Sequence, residues 1–162
     1  MFPIQANKGF TLIELVVVIV ILGILAVSAA PKFIDLSTDA RVSVLKSISG
    51  SLQSIVSMVH IKAIIQNTPN TGPDSSRVIN TNLGPIDTWY KYPESEAEQG
   101  DKLGIFQLLD IDAEGIVIFG QTGPNQCNSN KIGWNEQTCF IEYKEACSET
   151  EPAKITVILT DC

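Results

Sequence analysis

Histidine is almost absent from this chain: His60 stands alone, on a helical stretch between Val59 and Ile61. One imidazole with no accompanying motif gives no basis for a nucleophilic triad, and a packed or surface histidine is the simpler role. Glycine-rich phosphate loops and catalytic dyads are missing too, so the chain is not expected to be an enzyme. Basic residues are scarce where most of the chain lies. Residues 67–162 hold six Lys/Arg against fifteen Asp/Glu, whereas residues 1–66 hold five against three. With no basic stripe to neutralise phosphates, nucleic acid is not an expected partner. Nor has the acidic part an electrostatic reason to lie on anionic lipid. No Cys-x-x-Cys occurs among Cys127, Cys139, Cys147 and Cys162, which argues against zinc, and no metal or other cofactor is expected. An even number of cysteines confined to the end of the chain reads instead as two disulfides formed in an oxidising compartment.

What the chain does have is one long apolar run. From Phe10 to Ala30, 21 residues carry a single charged side chain, Glu14. At about 1.5 Å of helical rise per residue the run covers roughly 31 Å, enough to cross a bilayer core. A carboxylate there costs about 2.5 to 3.5 kcal/mol on insertion scales, so Glu14 is expected to have a task and a partner. Setting this run aside leaves an ordinary soluble composition, which explains how the whole chain reaches a mean hydropathy of +0.17 with only 18% charged residues.

Nine residues, Met1 to Gly9, stand ahead of the run, with Lys8 their only charge. A secretory signal would be cut behind its apolar core. Ser28-Ala29-Ala30 looks like such a site, but Pro31 follows directly and suits it poorly. The stretch Lys8-Gly9-Phe10-Thr11-Leu12-Ile13-Glu14, with the apolar residues behind it and Pro31, resembles instead the N-terminus of type IV prepilins. That resemblance implies cleavage between Gly9 and Phe10 by a membrane-embedded prepilin peptidase, an N-methylated mature N-terminus at Phe10, and Glu14 as the fifth mature residue. Phe10, Glu14 and Pro31 would then serve assembly.

After Pro31 the helical pattern continues but becomes amphipathic, with Ile34, Leu45, Ile48, Leu52, Ile55, Val56, Val59 and Ala63 at mostly three- and four-residue steps. It is expected to end near Gln66, before the breaker cluster Asn67-Thr68-Pro69-Asn70-Thr71-Gly72-Pro73. Gly23 and Pro31 weaken this helix, and the resemblance to pili suggests that the stretch between them unwinds in an assembled filament. Short extended segments are expected at 77–83 and 86–92, separated by Gly84-Pro85, then a capped helix opening at Ser95 to Glu98 with Leu103, Phe106 and Leu109 on one side. The strongest strands are 115–120, 138–144 and 154–161. The expected fold is therefore α+β: a long N-terminal helix, about 10–66, packed by its C-terminal half on an antiparallel sheet. The expected divisions are a cleaved leader (1–9), a membrane and filament-core helix (10–30), the amphipathic half of that helix (31–66) and a globular head with two disulfides (67–162).

A hairpin between the last two strands sets Cys139 opposite Cys162, which favours Cys139–Cys162 with Cys127–Cys147. The sequential pairing, Cys127–Cys139 with Cys147–Cys162, stays open. Asp110-x-Asp112-x-Glu114-Gly115 is similar to the start of a calcium loop, but position twelve would be Gln121, and a turn before a strand is the preferred reading. Glu94, Glu96, Glu98 and Asp101 read as a solvated helix start. Trp89, Tyr90 and Tyr92 would divide between two strand faces, serving either the core or a sugar platform.

Phe10 to Arg41, the Tyr90 to Pro93 step, and the Cys139 strand answered by Cys162 are similar more particularly to the major pilins of mannose-sensitive haemagglutinin (MSHA) pili. This implies a homopolymer that starts in the inner membrane as a single-pass protein and ends as an extracellular pilus. It also implies an inner-membrane platform, a motor ATPase and an outer-membrane secretin as partners, and adhesion to surfaces, chitin, host cells or other carbohydrate surfaces. A pseudopilin of a type II secretion system is the alternative. Cys127 and Cys147 depart from the MSHA pattern.

Overall fold

The computed structural model describes residues 9–95, 102–109, 111, 113–122 and 127–162, with the side chains of 30–35, 74, 121 and 122 left aside. Helix α1 runs Leu12–Ile65. It starts after Thr11 and stops at Asn67, whose positive φ of 51° places it in the left-handed region. The Thr68 N–H reaches back to Ala63 O at 3.0 Å and the Asn67 N–H to Ile64 O at 3.1 Å, the paired bonds that close a helix C-terminus. Asn67 thus ends the helix ahead of Pro69. α1 is helical through Gly23 and Pro31.

The chain divides into two units, residues 1–39 and 40–162. In the first, every described side chain from Gly9 to Ala29 is exposed. Leu12–Ala29 is long and apolar enough to cross a membrane, with a mean hydropathy of 3.0 and no part buried. Leu36–Ile65 also passes on length and composition, at 1.3, but 28% of it is buried, as befits a helix that packs on a core.

In the second unit the expected α+β fold is present. A three-stranded antiparallel meander comprises β1 (Val78–Thr81), β2 (Gly84–Trp89) and β3 (Tyr92–Pro93). A four-stranded antiparallel sheet comprises β4 (Val117–Thr122), β5 (Ser129–Asn135), β6 (Cys139–Lys144) and β7 (Lys154–Leu159), in that order. Leu45, Ile48 and Leu52 of α1 meet Ile132, Ile141 and Tyr143 of the larger sheet, together with Ile105 and Phe106. About two and three turns beyond Leu52, Val59 and Ala63 meet Ile79 and Ile86 of the smaller one. The three- and four-residue spacing thus delivers one helix face to two sheets in succession.

Several expectations need correction. β5 was not foreseen, because Ser-Asn-Lys-Ile-Gly-Trp-Asn has little β-branched character. Its Gly133 is required by close approach: a Cβ there would lie 2.1 Å from Cys139 O and 2.7 Å from Phe140 Cα. The segment 86–92 is not one strand. It turns at Tyr90 and Lys91, both at positive φ (49° and 69°), as a two-residue hairpin turn demands. Gly84-Pro85 lies inside β2; the turn before it is Asn82-Leu83. Of the proposed helix from Ser95, residues 96–101 fall outside the described residues. Leu103 makes a bridge to Ile86, and only a 3-10 turn, Ile105–Leu108, follows. The 115–120 strand begins at Val117, after a turn with Gly115 at φ 77°.

Candidate functional site

The first turn of α1 is where the one acid of the apolar run sits. Glu14 Oε2 accepts hydrogen bonds from the Thr11 N–H and the Thr11 hydroxyl, both at 2.8 Å, while the Glu14 N–H donates to Thr11 Oγ1 at 3.3 Å. This is a capping box: Thr11 is the N-cap and Glu14 the third helical residue, each satisfying the other's backbone donor. The expected need of Glu14 for a partner is thus met in part by its own chain. The signal for the box in the sequence is the Thr11-x-x-Glu14 spacing directly ahead of the apolar run. No hydrogen bond reaches Glu14 Oε1 among the described residues. Phe10 is 93% exposed, at the end of the helix whose dipole favours a negative group.

At the far end of the chain the cysteines are joined as Cys139–Cys162 and Cys127–Cys147, with Cα atoms 5.0 and 4.8 Å apart. Cys162 is not directly opposite Cys139, as the simple hairpin supposed; the register pairs Cys139 with Leu159. The last residues fold back, with the Thr160 N–H on Thr138 O at 2.9 Å, and this return brings Cys162 within reach. Arg41 of α1 donates to Cys162 O at 2.8 Å and lies 5.7 Å from the centre of the Trp134 ring. The C-terminus is therefore pinned both to β6 and to the helix.

The prokaryotic N-terminal methylation motif matches residues 4–30. The type IV major fimbrial protein FimA of Dichelobacter nodosus is 41% identical over 130 residues, covering 79% of this chain and 80% of that protein. The type IV narrow pilus major component PilA5 of Thermus thermophilus is 41% identical over 56 residues, 35% of this chain and 48% of its own length. A fimbrial protein of Pseudomonas aeruginosa is 49% identical over 45 residues, 28% of each chain. The chain belongs to the type IV pilins. No solved structure matches it.

Elsewhere in this pilin the acidic residues do not lie where composition suggested. Glu94 is not a solvated helix start but is 5% exposed, inside a buried polar cluster. Its carboxylate bonds the Arg77 guanidinium at 2.5 Å, and Arg77 also donates to Gly72 O and Thr88 O. Asp87, fully buried, is held by Lys102 at 2.9 Å and lies 3.8 Å from Arg77. Glu145 accepts from the Ser95 N–H at 2.7 Å and the Ser95 hydroxyl at 2.6 Å. Tyr143 donates to Pro93 O at 2.6 Å, and burial pushes its phenol well above the usual range. Burial also pushes Glu94 up to about 7; Arg77 opposes this, and the nearby Asp87 and Glu145 add to it. Ser95 is thus not a helix cap but a link from this cluster to Asn130 of β5 and to Glu145, just after β6. The signal for it was faint: single polar residues scattered between Arg77 and Glu145, with nothing local to join them.

The aromatic residues divide differently from a plain strand. Tyr92 stacks on His60 of α1 with ring centres 4.0 Å apart, and His60 Nδ1 lies 3.0 Å from Lys91 O. Trp89 lies under Arg77, 4.4 Å from ring centre to guanidinium, with Tyr90 edge-on. Holding the turn, rather than forming a flat platform, is the visible role of these rings. Of the calcium-like motif, Asp110 and Asp112 lie outside the described residues. Glu114 begins a turn, and its carbonyl accepts from Trp134 Nε1 at 3.0 Å. Among the described residues no three His, Cys, Asp or Glu side chains are grouped to hold a metal.

Proposed function

We propose that this pilin is the structural subunit of an MSHA-type pilus. It is cut between Gly9 and Phe10 by a prepilin peptidase, held in the inner membrane by 10–30, and polymerised into a surface filament that adheres to surfaces, chitin or host cells. It has no enzymatic role. The observation that carries this reading is the fully exposed apolar helix Leu12–Ala29 with Glu14 capped at its start. Such a helix leaves lipid for a fibre core made of its own copies at little cost, since both surroundings are apolar. Away from water, Glu14 needs a cation, and its open Oε1 suits the Phe10 amine of a neighbouring copy while Oε2 stays on Thr11. That pairing sets axial register. Pro31 and Gly23 mark the part of the helix that yields when the fibre stretches. A platform, a motor ATPase and a secretin drive extrusion.

The test has two parts. N-terminal sequencing of the exported protein should begin at Phe10; a start at Pro31 would mean an ordinary signal peptide. Electron microscopy of cells with and without the chain should show long filaments only with it. A correct Phe10 start without long filaments would point to a pseudopilin working as a short periplasmic piston.

A further inference from the structure

The two disulfides of the head occupy unlike places. Cys139 and Cys162 are 1% and 8% exposed and belong to the main hydrophobic cluster, with Leu45, Leu52 and Tyr143. Cys162 lies three residues past the end of β7, outside the ladder, so its bond to β6 ties down a segment that strand pairing does not hold. Cys127 and Cys147, the pair that departs from the MSHA pattern, are both part-exposed; they stand two residues before β5 and three after β6. At that end the two strands already pair, Ser129 with Lys144 and Asn130 with Tyr143. The β5–β6 hairpin is therefore closed without the Cys127–Cys147 bond, and the bond must hold something else.

The residues on either side of Cys147 show what that is. Glu145 is 3% exposed, its N–H donates to Asn128 O at 2.9 Å, and its carboxylate accepts from the Asn128 N–H at 3.3 Å, the Ser95 N–H at 2.7 Å and the Ser95 hydroxyl at 2.6 Å. Beyond Cys147 comes an exposed turn, in which the Cys147 N–H donates to Glu151 O at 3.1 Å and Glu149 accepts from the Asn70 side chain at 2.6 Å. The disulfide sits where the last rung of the hairpin, this turn and a buried carboxylate meet. That carboxylate shares its surroundings with like charges: Glu94 is raised by burial first, and by the charges of Asp87 and Glu145 as well. An acid so placed gains water and loses repulsion when the backbone that carries it is let go.

We propose that Cys127–Cys147 is a redox-sensitive clasp: a dithiol opens it while Cys139–Cys162 stays closed, and opening frees residues 145–151 and draws Glu145 off Ser95 with the head still folded. Access decides which bond reacts, because the attacking thiolate must reach a sulfur from solvent. The first thiolate of the dithiol attacks one sulfur of Cys127–Cys147 and forms a mixed disulfide; the second thiol displaces it. The dithiol leaves as its own disulfide, two electrons pass to the protein, and its two protons end on the Cys127 and Cys147 thiols. The clasp belongs to the head alone and goes beyond the filament reading.

The experiment is a dithiothreitol series on the detergent-solubilised full chain, followed by alkylation and peptide mass spectrometry. Cys127 and Cys147 should become alkylated at a reductant concentration at least about tenfold below that needed for Cys139 and Cys162. At the lower concentration, hydrogen exchange should quicken at Ser95, Asn128 and 145–151, while β6 and β7 keep their protection. Removing the reductant and reoxidising should restore the original pattern. Cys127→Ser with Cys147→Ser should show the opened pattern without reductant, and the lower concentration should change nothing further in it. Reduction of both bonds together, or of Cys139–Cys162 first, would overturn the proposal. Unchanged exchange at Ser95 and 145–151 after selective reduction would overturn it as well, by making the bond a passive staple. Loss of protection throughout 40–162 would do the same, since the head would then depend on this bond for its fold.

Discussion

The two units of this pilin handle polar groups in opposite ways. Between residues 10 and 29 the single acid, Glu14, is satisfied by a residue three positions away. In residues 40–162 the buried acids Asp87, Glu94 and Glu145 are satisfied by partners 15, 17 and 50 positions away, on other elements. In the proposed passage from lipid to a fibre core the helix cannot count on distant partners in its own chain, so Glu14 Oε2 is settled within one turn and Oε1 is left for a neighbouring copy. A head that folds once can depend on them. On the proposed reading the contrast means that the first unit is built to change its surroundings and the second to keep them.

The largest effect should come from removing the one local device. With Glu14→Val, processing to a Phe10 N-terminus should continue, while filament growth stops; mass spectrometry of the mature chain and microscopy of cells check the two halves. Normal filaments in this variant would end the register idea. In the head the matching change is Arg77→Met, which leaves Glu94 facing Asp87 with no guanidinium between them. Removing one member of a buried ionic cluster costs about 3 to 5 kcal/mol, read as a lower unfolding midpoint for the detergent-solubilised subunit. Adding Glu94→Gln to Arg77→Met should recover part of it, because a neutral amide needs no counter-charge. If Arg77→Met proves neutral, the head does not rely on its long-range polar partners and the contrast collapses.

Those differences also decide what could be read from the chain beforehand. The capping box, the apolar run and the helix stop at Asn67 are local, so their residues lie next to one another in the sequence. The α+β class was legible for the same reason: the spacing of Leu45, Ile48, Leu52, Val59 and Ala63 marks one buried face, and β6 and β7 are rich in β-branched and aromatic residues. β5 was not legible. Its Gly133 and Asn130 are there because Phe140 and the buried cluster require them, and those contacts exist only after folding. Glu94 was misread on the same grounds: its acidic neighbours suggest solvent, whereas its partner Arg77 is 17 positions away. The turn at Tyr90-Lys91 carries none of the usual glycine or asparagine, since His60 of α1 and Asn70 hold it from outside.

The disulfides belong to the second unit alone, and their loss should be smaller than that of Arg77. Cys139→Ser with Cys162→Ser frees the C-terminus from β6 but leaves the Arg41 bond to Cys162 O, a backbone atom. Closing a loop of 23 positions is worth roughly 3 kcal/mol in the chain-entropy account. A fall of that order in unfolding free energy is expected, with the fold retained. Hydrogen exchange should show the change concentrated in β7 and the first turns of α1 after Ala40. Equal protection there in both proteins would mean that the Arg41 clasp alone holds this end.

The smallest effect sharpens the comparison most, because it reads the cluster without dismantling it. Burial lifts Glu94 to about 7, above its ordinary value of 4.5, so between those values the folded head holds a proton that the unfolded chain has released. Stability from this group is therefore fully present below pH 4.5, falls as the pH rises, and is lost above pH 7. Glu94→Gln keeps the shape and removes the titration. The gap between the two unfolding midpoints should change steadily from pH 5 to pH 8, with the wild type losing ground relative to the variant as the pH rises. Asp87, Glu145, Arg77 and Lys102 face Glu94 or its neighbours and are common to both proteins, so the difference isolates the one carboxyl. A gap that is constant with pH would place Glu94 in water-like surroundings and remove the distinction between a head with an enclosed polar cluster and one whose acids are simply solvated.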